Sequence, residues 1–429
     1  MAQICRAVVV SEGAKLYRHR PTLVNWWWLA AWLVFVGASP VPARAQLSPS
    51  QIPENVPPDA PFQLGPFYVT PTFELRDVGV DPNVFNDESE ERAWTATPST
   101  TIQSTALAGP FRLATNLTAD YLWYQSFAAE RSLNTNVAAR LEAYLDRIRP
   151  WASAGWLRTR ARRGFEIDAR APRRTPSFGT GVDWVLGSRT SIATSAQFQR
   201  SEYADTATFA GVSLADQLNG DETSYRAGLV FDVTPLTAFR VDGERRTARF
   251  LEGSVRDNAS WAVLPSLVFQ PGAALSGSVI VGYRSFAPTN LELEGFNGVE
   301  VNTTAAINVR ETTQVAIEGS RGIEYSFEEL HPYYLQTGGR VQVLQRVGGP
   351  VEVTLMGAIY ELAFRDLPGD PQGPRGSQRL RLAGIGVGYR LSETVRLSLN
   401  AQSEKRRSVA RPNRDYDRMF YYGSIAYTP

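Results

Sequence analysis

A chain of 429 residues with a net charge of +1 and 43% hydrophobic residues is large for one compact domain, although a sheet closed on itself can hold that many residues in one unit. Its 44 basic residues are offset by 43 acidic ones and no sustained basic run occurs, which argues against nucleic acid as a partner. Its single cysteine, Cys5, lies close to the start, so the rest of the chain can form neither a disulfide scaffold nor a thiolate metal site.

The first element is a leader. Arg6, Lys15, Arg18 and Arg20 give it positive charge. An apolar stretch from Leu23 to Gly37 follows, rich in Trp26, Trp27, Trp28 and Trp32. It breaks at Ser39-Pro40, and the small-residue signature Ala43-Arg44-Ala45 comes next. This order predicts a signal peptide over 1–45, cleaved before Gln46, and export through the inner membrane. The apolar run is shorter than the roughly 20 residues a spanning anchor needs. Removing the leader takes five basic residues and one acidic residue, which leaves a net charge of −3. No later run is apolar and long enough for a membrane helix.

Residues 46–66 read as a proline-rich periplasmic lead-in, with Pro49, Pro53, Pro57, Pro58, Pro61 and Pro66 resisting helix and central strand. From Phe67 onward the hydrophobic period is two. Phe67, Val69, Pro71, Phe73 and Leu75 share a face, with Tyr68, Thr70, Thr72, Glu74 and Arg76 opposite. Phe111 to Trp123, Tyr225 to Val233, Phe239 to Glu244 and Val395 to Gln402 alternate in the same way. One face carries almost no charge and the other carries it all.

The connections fall into two alternating classes. Tight turns are read at Ala108-Gly109-Pro110, Arg149-Pro150, Gly187-Ser188-Arg189, Thr234-Pro235-Leu236, Gln270-Pro271-Gly272, Arg310-Glu311-Thr312, Val347-Gly348-Gly349 and Ser392-Glu393-Thr394. Long polar loops are read around 77–92, 202–222, 285–298, 365–377 and 404–418. A soluble sandwich has no reason to sort its loops by length, whereas a membrane barrel places short turns in the periplasm and long loops outside. The predicted fold is all-β: one transmembrane antiparallel up-and-down β-barrel over 67–429, with about 18 strands (16–18). The last strand, Met419 to Tyr427, looks like the segment that barrel assembly machinery recognises, although Thr428-Pro429 follow its final aromatic.

Two segments resemble a family of outer-membrane β-barrel porins whose members often accompany exopolysaccharide gene clusters. The first is Gly65-Pro66-Phe67-Tyr68-Val69-Thr70-Pro71, ending in Gly79-Val80-Asp81-Pro82-Asn83-Val84-Phe85. The second is Gly282-Tyr283-Arg284-Ser285-Phe286, then Gly295-Phe296-Asn297-Gly298. The resemblance spans about 67–429 and implies the fold and an outer-membrane location in a Gram-negative cell. It supplies no catalytic residues.

Arginine provides nearly all the positive charge, since Lys405 is the only lysine beyond the leader. Arg226, Arg240, Asp242, Glu244, Glu318, Arg340, Arg396 and Glu404 fall on the polar face and are the candidate lumen-lining residues. They read either as a transverse field acting on solutes or as a structural ion-pair network. Trp94, Trp123, Tyr124, Trp151, Trp156, Trp184, Tyr225, Trp261, Tyr283, Tyr389 and Tyr427 read as an interfacial girdle, with sugar stacking in the lumen as the sharper reading. His331 lies near Ser326, Glu328 and Glu329 without the spacing of a catalytic set, and one imidazole does not make a metal site, so neither enzyme nor cofactor is expected. Asp87, Glu88, Glu90 and Glu91 could bind calcium weakly, without the spacing of a dedicated site. Gly384, Gly386 and Gly388 mark close packing or curvature in a strand rather than a phosphate loop. Two functions follow: a channel for small polar solutes or a component of exopolysaccharide export, and alternatively a non-conducting barrel whose loops engage a partner. Outer-membrane lipid is an expected partner in either case.

Overall fold

The computed structural model describes residues 60–86, 90–270, 274–310, 312–368, 376–409 and 414–429. The leader with Ala43, Ala45 and Gln46, most of the lead-in, and loop residues Asp87 and Glu88 lie outside the described residues.

The strands are β1 (Phe62–Leu64), β2 (Phe67–Asp81), β3 (Ala93–Ala108), β4 (Phe111–Tyr124), β5 (Ser132–Ala143), β6 (Ile148–Thr159), β7 (Arg173–Val185), β8 (Thr190–Tyr203), β9 (Thr208–Phe209), β10 (Val212–Ser213), β11 (Gly220–Thr234) and β12 (Thr237–Phe250). They continue as β13 (Asn258–Phe269), β14 (Leu275–Pro288), β15 (Phe296–Val309), β16 (Thr313–Tyr325), β17 (Tyr333–Gly348), β18 (Val351–Arg365), β19 (Ser377–Arg390), β20 (Val395–Ser408) and β21 (Tyr416–Tyr427). β2–β8 and β11–β21 are antiparallel to their neighbours in sequence, and β2 pairs with β21. Eighteen strands therefore close into a ring, so each of them pairs on both sides. β1 adds a short hairpin onto the start of β2.

The faces are inverted relative to a soluble barrel. Leu399 is 72% exposed and Leu229 57% exposed, pointing outward, while the Glu244 side chain is fully buried inside. Outward Leu, Val, Ile and Phe meet hydrocarbon, and the charged residues alternate inward. Trp94, Trp156, Trp184, Tyr225, Trp261, Tyr283, Tyr389 and Tyr427 are exposed large side chains, as expected for a girdle. Two of the expected girdle residues turn inward. Tyr124 is buried and bonds Asp81, and Trp151 lies under the Arg140 guanidinium, 4.0 Å from its ring centre. Their parity within β4 and β6 puts them on the polar face, and ring size alone had hidden that.

The two ends of the ring differ as expected. The connections at one end span two to five residues, and those at the other span seven to sixteen. Gly109 (φ 58°) and Gly349 (φ 53°) occupy left-handed positions in the two-residue turns, where a side chain is strained. Arg149-Pro150 is not a turn. Both residues lie in β6, and the chain reverses at 144–147, with Asp146 at φ 47° and Leu145 bridged to Ile148. Proline is tolerated there because it sits within the first residues of its strand. Several strands also run further out than read. β2 continues through a bulge to Asp81, and β20 and β21 reach Ser408 and Tyr416, so the loops at 77–92 and 404–418 are shorter. Outer connections at 125–131, 160–172, 251–257 and 326–332 join those already expected.

Gly384, Gly386 and Gly388 lie on the inner face, across from Gln402, Asn400 and Ser398. A Cβ on Gly388 would come within 2.7 Å of the Arg396 guanidinium, and one on Gly386 would overlap the Asn400 amide. The glycines thus make room for polar side chains of the next strand.

Candidate functional site

The inner wall carries most of its charge in pairs. Arg226 bonds Glu244, whose carboxylate also takes Arg246 at 3.1 Å and Arg284 at 2.6 Å. Arg284 reaches Glu300 at 2.6 Å, so this hub spans β11 to β15. Arg240 pairs with Asp242 at 2.5 Å. Glu318 lies directly opposite Arg340 in the β16–β17 register, and Arg340 bonds Gln342 at 3.0 Å. Arg396 shares Glu352 with Arg346 and Arg390, at 3.0, 3.7 and 3.3 Å. Glu404 takes Arg418 at 2.6 Å and the Tyr416 hydroxyl at 2.6 Å. All eight sequence candidates therefore lie on the inner face, but in five separate groups rather than one site.

The feature that enters the lumen comes from a segment that sequence reasoning passed over. The connection between β6 and β7, residues 160–172, turns into the barrel instead of standing outside it. Its Glu166, Ile167 and Ala171 are buried. On one side, Arg162 donates to the Val84 carbonyl at 2.7 Å. The Asn86 amide donates to both Asp168 carboxylate oxygens at 2.9 Å, and Arg170 bonds the Tyr124 hydroxyl. On the far side, the Phe165 ring meets Tyr360 at 4.5 Å and packs on Tyr334, Leu362 and Phe364. Those residues stand on β17 and β18, half-way around the ring from β6. The loop thus crosses the lumen from wall to wall.

Three other outer loops hold it there. Ser326 donates to Glu166 at 2.6 Å, Arg256 donates to the Ser326 carbonyl at 2.7 Å, and Arg414 donates to the Glu166 carbonyl. Ile167 enters an apolar cluster with Tyr203, Ala207, Leu214, Leu218 and Phe327. Leu214 and Leu218 belong to a one-turn helix, Leu214–Leu218, whose Ser213 cap accepts from the Asp216 amide. The outer mouth therefore has a small core of its own.

Asp168 is the electrostatic centre of the crossing. It pairs with Arg162 at 2.7 Å and with Arg406 of β20 at 3.5 Å. Burial alone would push its carboxyl up, but Arg162, Arg406, the Asn86 amide and Arg418 outweigh that and hold it below the ordinary aspartate value. Arg256 is the opposite case. Burial pushes it down to about 10 against weak support from Glu166 and Glu329, and its two terminal amines have no hydrogen-bond acceptor. A cavity lies beside the loop, lined by Arg162, Phe165, Arg170, Glu404, Tyr416 and Arg418. It offers paired charges of both signs and an aromatic face.

The signal for this loop was present in the sequence. Seven arginines fall between Arg158 and Arg174, with Phe165 and Ile167 among them, which is dense and apolar for a free surface loop. His331 is buried, with Nδ1 2.6 Å from Asp366 and Nε2 3.8 Å from Glu328, so it ties two outer loops together. No group of three metal-ligating side chains forms among the described residues.

A family model described as Putative beta-barrel porin 2 matches residues 60–425. No curated protein sequence matches the chain. Among solved structures, the chain is similar to the outer membrane protein OpdK from Pseudomonas aeruginosa, at 11% identity and a TM-score of 0.46, covering 84% of this chain and 98% of that one. It is also similar to the copper transporter OprC, at 9% identity and a TM-score of 0.42, covering 86% and 81%. The siderophore receptor PirA from Pseudomonas aeruginosa matches at 10% identity and a TM-score of 0.39, covering 86% and 81%.

Proposed function

The chain belongs to the Putative beta-barrel porin 2 family, β-barrels of the outer membrane, and from that premise we propose that it is a channel for small polar solutes, narrowed by its own β6–β7 loop. The observation that carries the proposal is the lumen crossing of residues 160–172, which leave the wall at β6 and are held by Phe165 against β18 and by Asp168 against β20. Eighteen strands enclose an aqueous lumen. A loop across it sets the limiting cross-section, and the charges beside it favour polar over apolar solutes. Purified protein in a planar bilayer is expected to give discrete conductance steps. Absence of steps over many insertions would refute an open channel.

Export through the inner membrane, with cleavage before Gln46, is part of the same proposal. N-terminal sequencing of the protein recovered from outer membranes tests it. A catalytic role is not proposed; loss of a measured hydrolysis in a His331→Ala variant would overturn that.

The narrower form of the proposal is participation in exopolysaccharide export. The Phe165 ring and the Tyr416 ring on the lining of the cavity beside the loop favour it, since sugar rings stack on such faces. Neighbouring polysaccharide-synthesis genes would support it, and unchanged conductance on addition of the polysaccharide would count against it. The competing reading is a non-conducting barrel whose outer loops bind a partner. The apolar core shared by those loops favours it, because it stabilises the mouth as one unit.

A further inference from the structure

The outward face just above the apolar band carries an arrangement of charge that the barrel itself does not need. On β19 and β20, Arg379 lies directly opposite Arg407, and Arg381 directly opposite Lys405. All four are exposed and point away from the lumen, since the intervening Leu380, Leu382, Glu404 and Arg406 face inward. Like charges directly opposite on adjacent strands are destabilising. Among the described residues two acids pair with them, and Asp415 adds a weaker attraction on Arg407. Glu361 of β18 is 3.5 Å from Arg379, and Asp417 of β21 is 2.9 Å from Arg407 and 3.9 Å from Lys405. Arg381 has no carboxylate within ion-pair distance among the described residues. The only lysine beyond the leader sits in this group.

The position identifies the partner. Below the four cations, Ala383, Ile385, Val387 and Tyr389 on β19 and Val395, Leu397, Leu399 and Ala401 on β20 point outward. The nine residues from Ala383 to Leu391 match the roughly 9–11 that a tilted strand needs to cross the apolar band. β19 begins after a long outer loop, so Arg379 and Arg381 lie at the outer edge of that band. An exposed cation cluster at that height faces lipid headgroups, and guanidinium binds phosphate bidentately.

We propose that Arg379, Arg381, Lys405 and Arg407 form a binding site for the phosphorylated headgroup of an outer-leaflet lipid. The headgroup phosphates supply the negative charge that the local acids leave uncompensated, and the acyl chains lie along Ile385, Val387 and Leu399. The barrel is thereby fixed in height and gains an annular lipid on one sector of its wall.

The test uses the intact barrel in detergent and native mass spectrometry with added diphosphorylated lipid A or its dephosphorylated form. The phosphorylated lipid is expected to be retained preferentially. Replacing all four residues, Arg379→Gln, Arg381→Gln, Lys405→Gln and Arg407→Gln, is expected to weaken retention about 25-fold, at roughly fivefold for each of the two cations the acids do not offset. The double variants R379Q/R381Q and K405Q/R407Q carry the test if the fourfold variant does not fold. A control pair on the outward face of β12, Arg245→Gln and Arg249→Gln, is expected to change nothing. Equal retention of both lipids, equal loss in the control pair, or displacement by millimolar inorganic phosphate alone would overturn the site.

Discussion

Replacing Asp168 by Asn removes one charge from the centre of the lumen crossing and keeps the side-chain size. The wild-type carboxylate takes Arg162 at 2.7 Å, Arg406 at 3.5 Å and both bonds from Asn86 at 2.9 Å. Its side chain is only 10% exposed, so solvent screens these interactions little. Removing one partner of a buried ion pair costs about 3–5 kcal/mol, because the remaining charge is left uncompensated. Two guanidiniums are left here. If the loop swings between an inward and an outward position, that cost moves the equilibrium outward by a factor on the order of 10² to 10⁴. Phe165 and Ile167 still hold the loop by packing, so the full effect needs Ile167→Ala as well, which adds roughly 2–5 kcal/mol. Single-channel recording is the assay. The variant is expected to show a larger unitary conductance and fewer brief closures. Acid should act in the same way. The Asp168 carboxyl is held below its ordinary value of 3.8, so the latch is intact above that value and is lost as pH falls through the lower, folded-state value. Conductance is expected to be flat from neutral pH to about 5 and to rise only in stronger acid, and the Asn variant should lack that rise. Identical conductance histograms for wild type and the double variant would refute the loop as the limiting feature.

Leu399→Arg, outward in the middle of the apolar band, is expected to destabilise the barrel by about 2–4 kcal/mol in lipid, whereas Asn400→Arg, facing in, is expected to cost far less; denaturant unfolding in bilayers distinguishes them, and equal costs would reverse the facing assigned to β20. Gly79→Val pushes a side chain into the Tyr421 backbone at the β2–β21 closure, so heat-modifiable migration on a gel should be lost at a lower temperature than in wild type. Arg256→Met removes two buried amines that have no acceptor, at the loss of one bond to Ser326. Its melting temperature is expected to be unchanged or higher, and a fall worth several kcal/mol would show that the guanidinium is better supported than its contacts indicate.

Much of the architecture was legible because its signal is local. A side-chain period of two, with charge on one face only, is a property of consecutive residues, and so is the contrast between Ala108-Gly109-Pro110 and the long polar stretch at 202–222. These fixed the strand directions, a count near eighteen and the two environments at the ends of the sheet. Parity also placed Arg226, Glu244, Arg396 and Glu404 inside. Other features depend on groups far apart in sequence. That Glu244 meets Arg284, or that Trp151 lies under Arg140, depends on register between strands. The fate of residues 160–172 depends on partners at Val84, Tyr124, Tyr360 and Arg406. A polar, arginine-rich segment has the same composition whether it stands in water or crosses a lumen. Only closure of the ring brings the opposite wall within reach of Asp168 and Phe165. The sequence by itself thus determined that this is a barrel and which charged residues of the polar face point in; the tertiary structure turned Tyr124 and Trp151 inward and decided what crosses the lumen, because burying those charges is favourable only where distant strands supply their counter-charges.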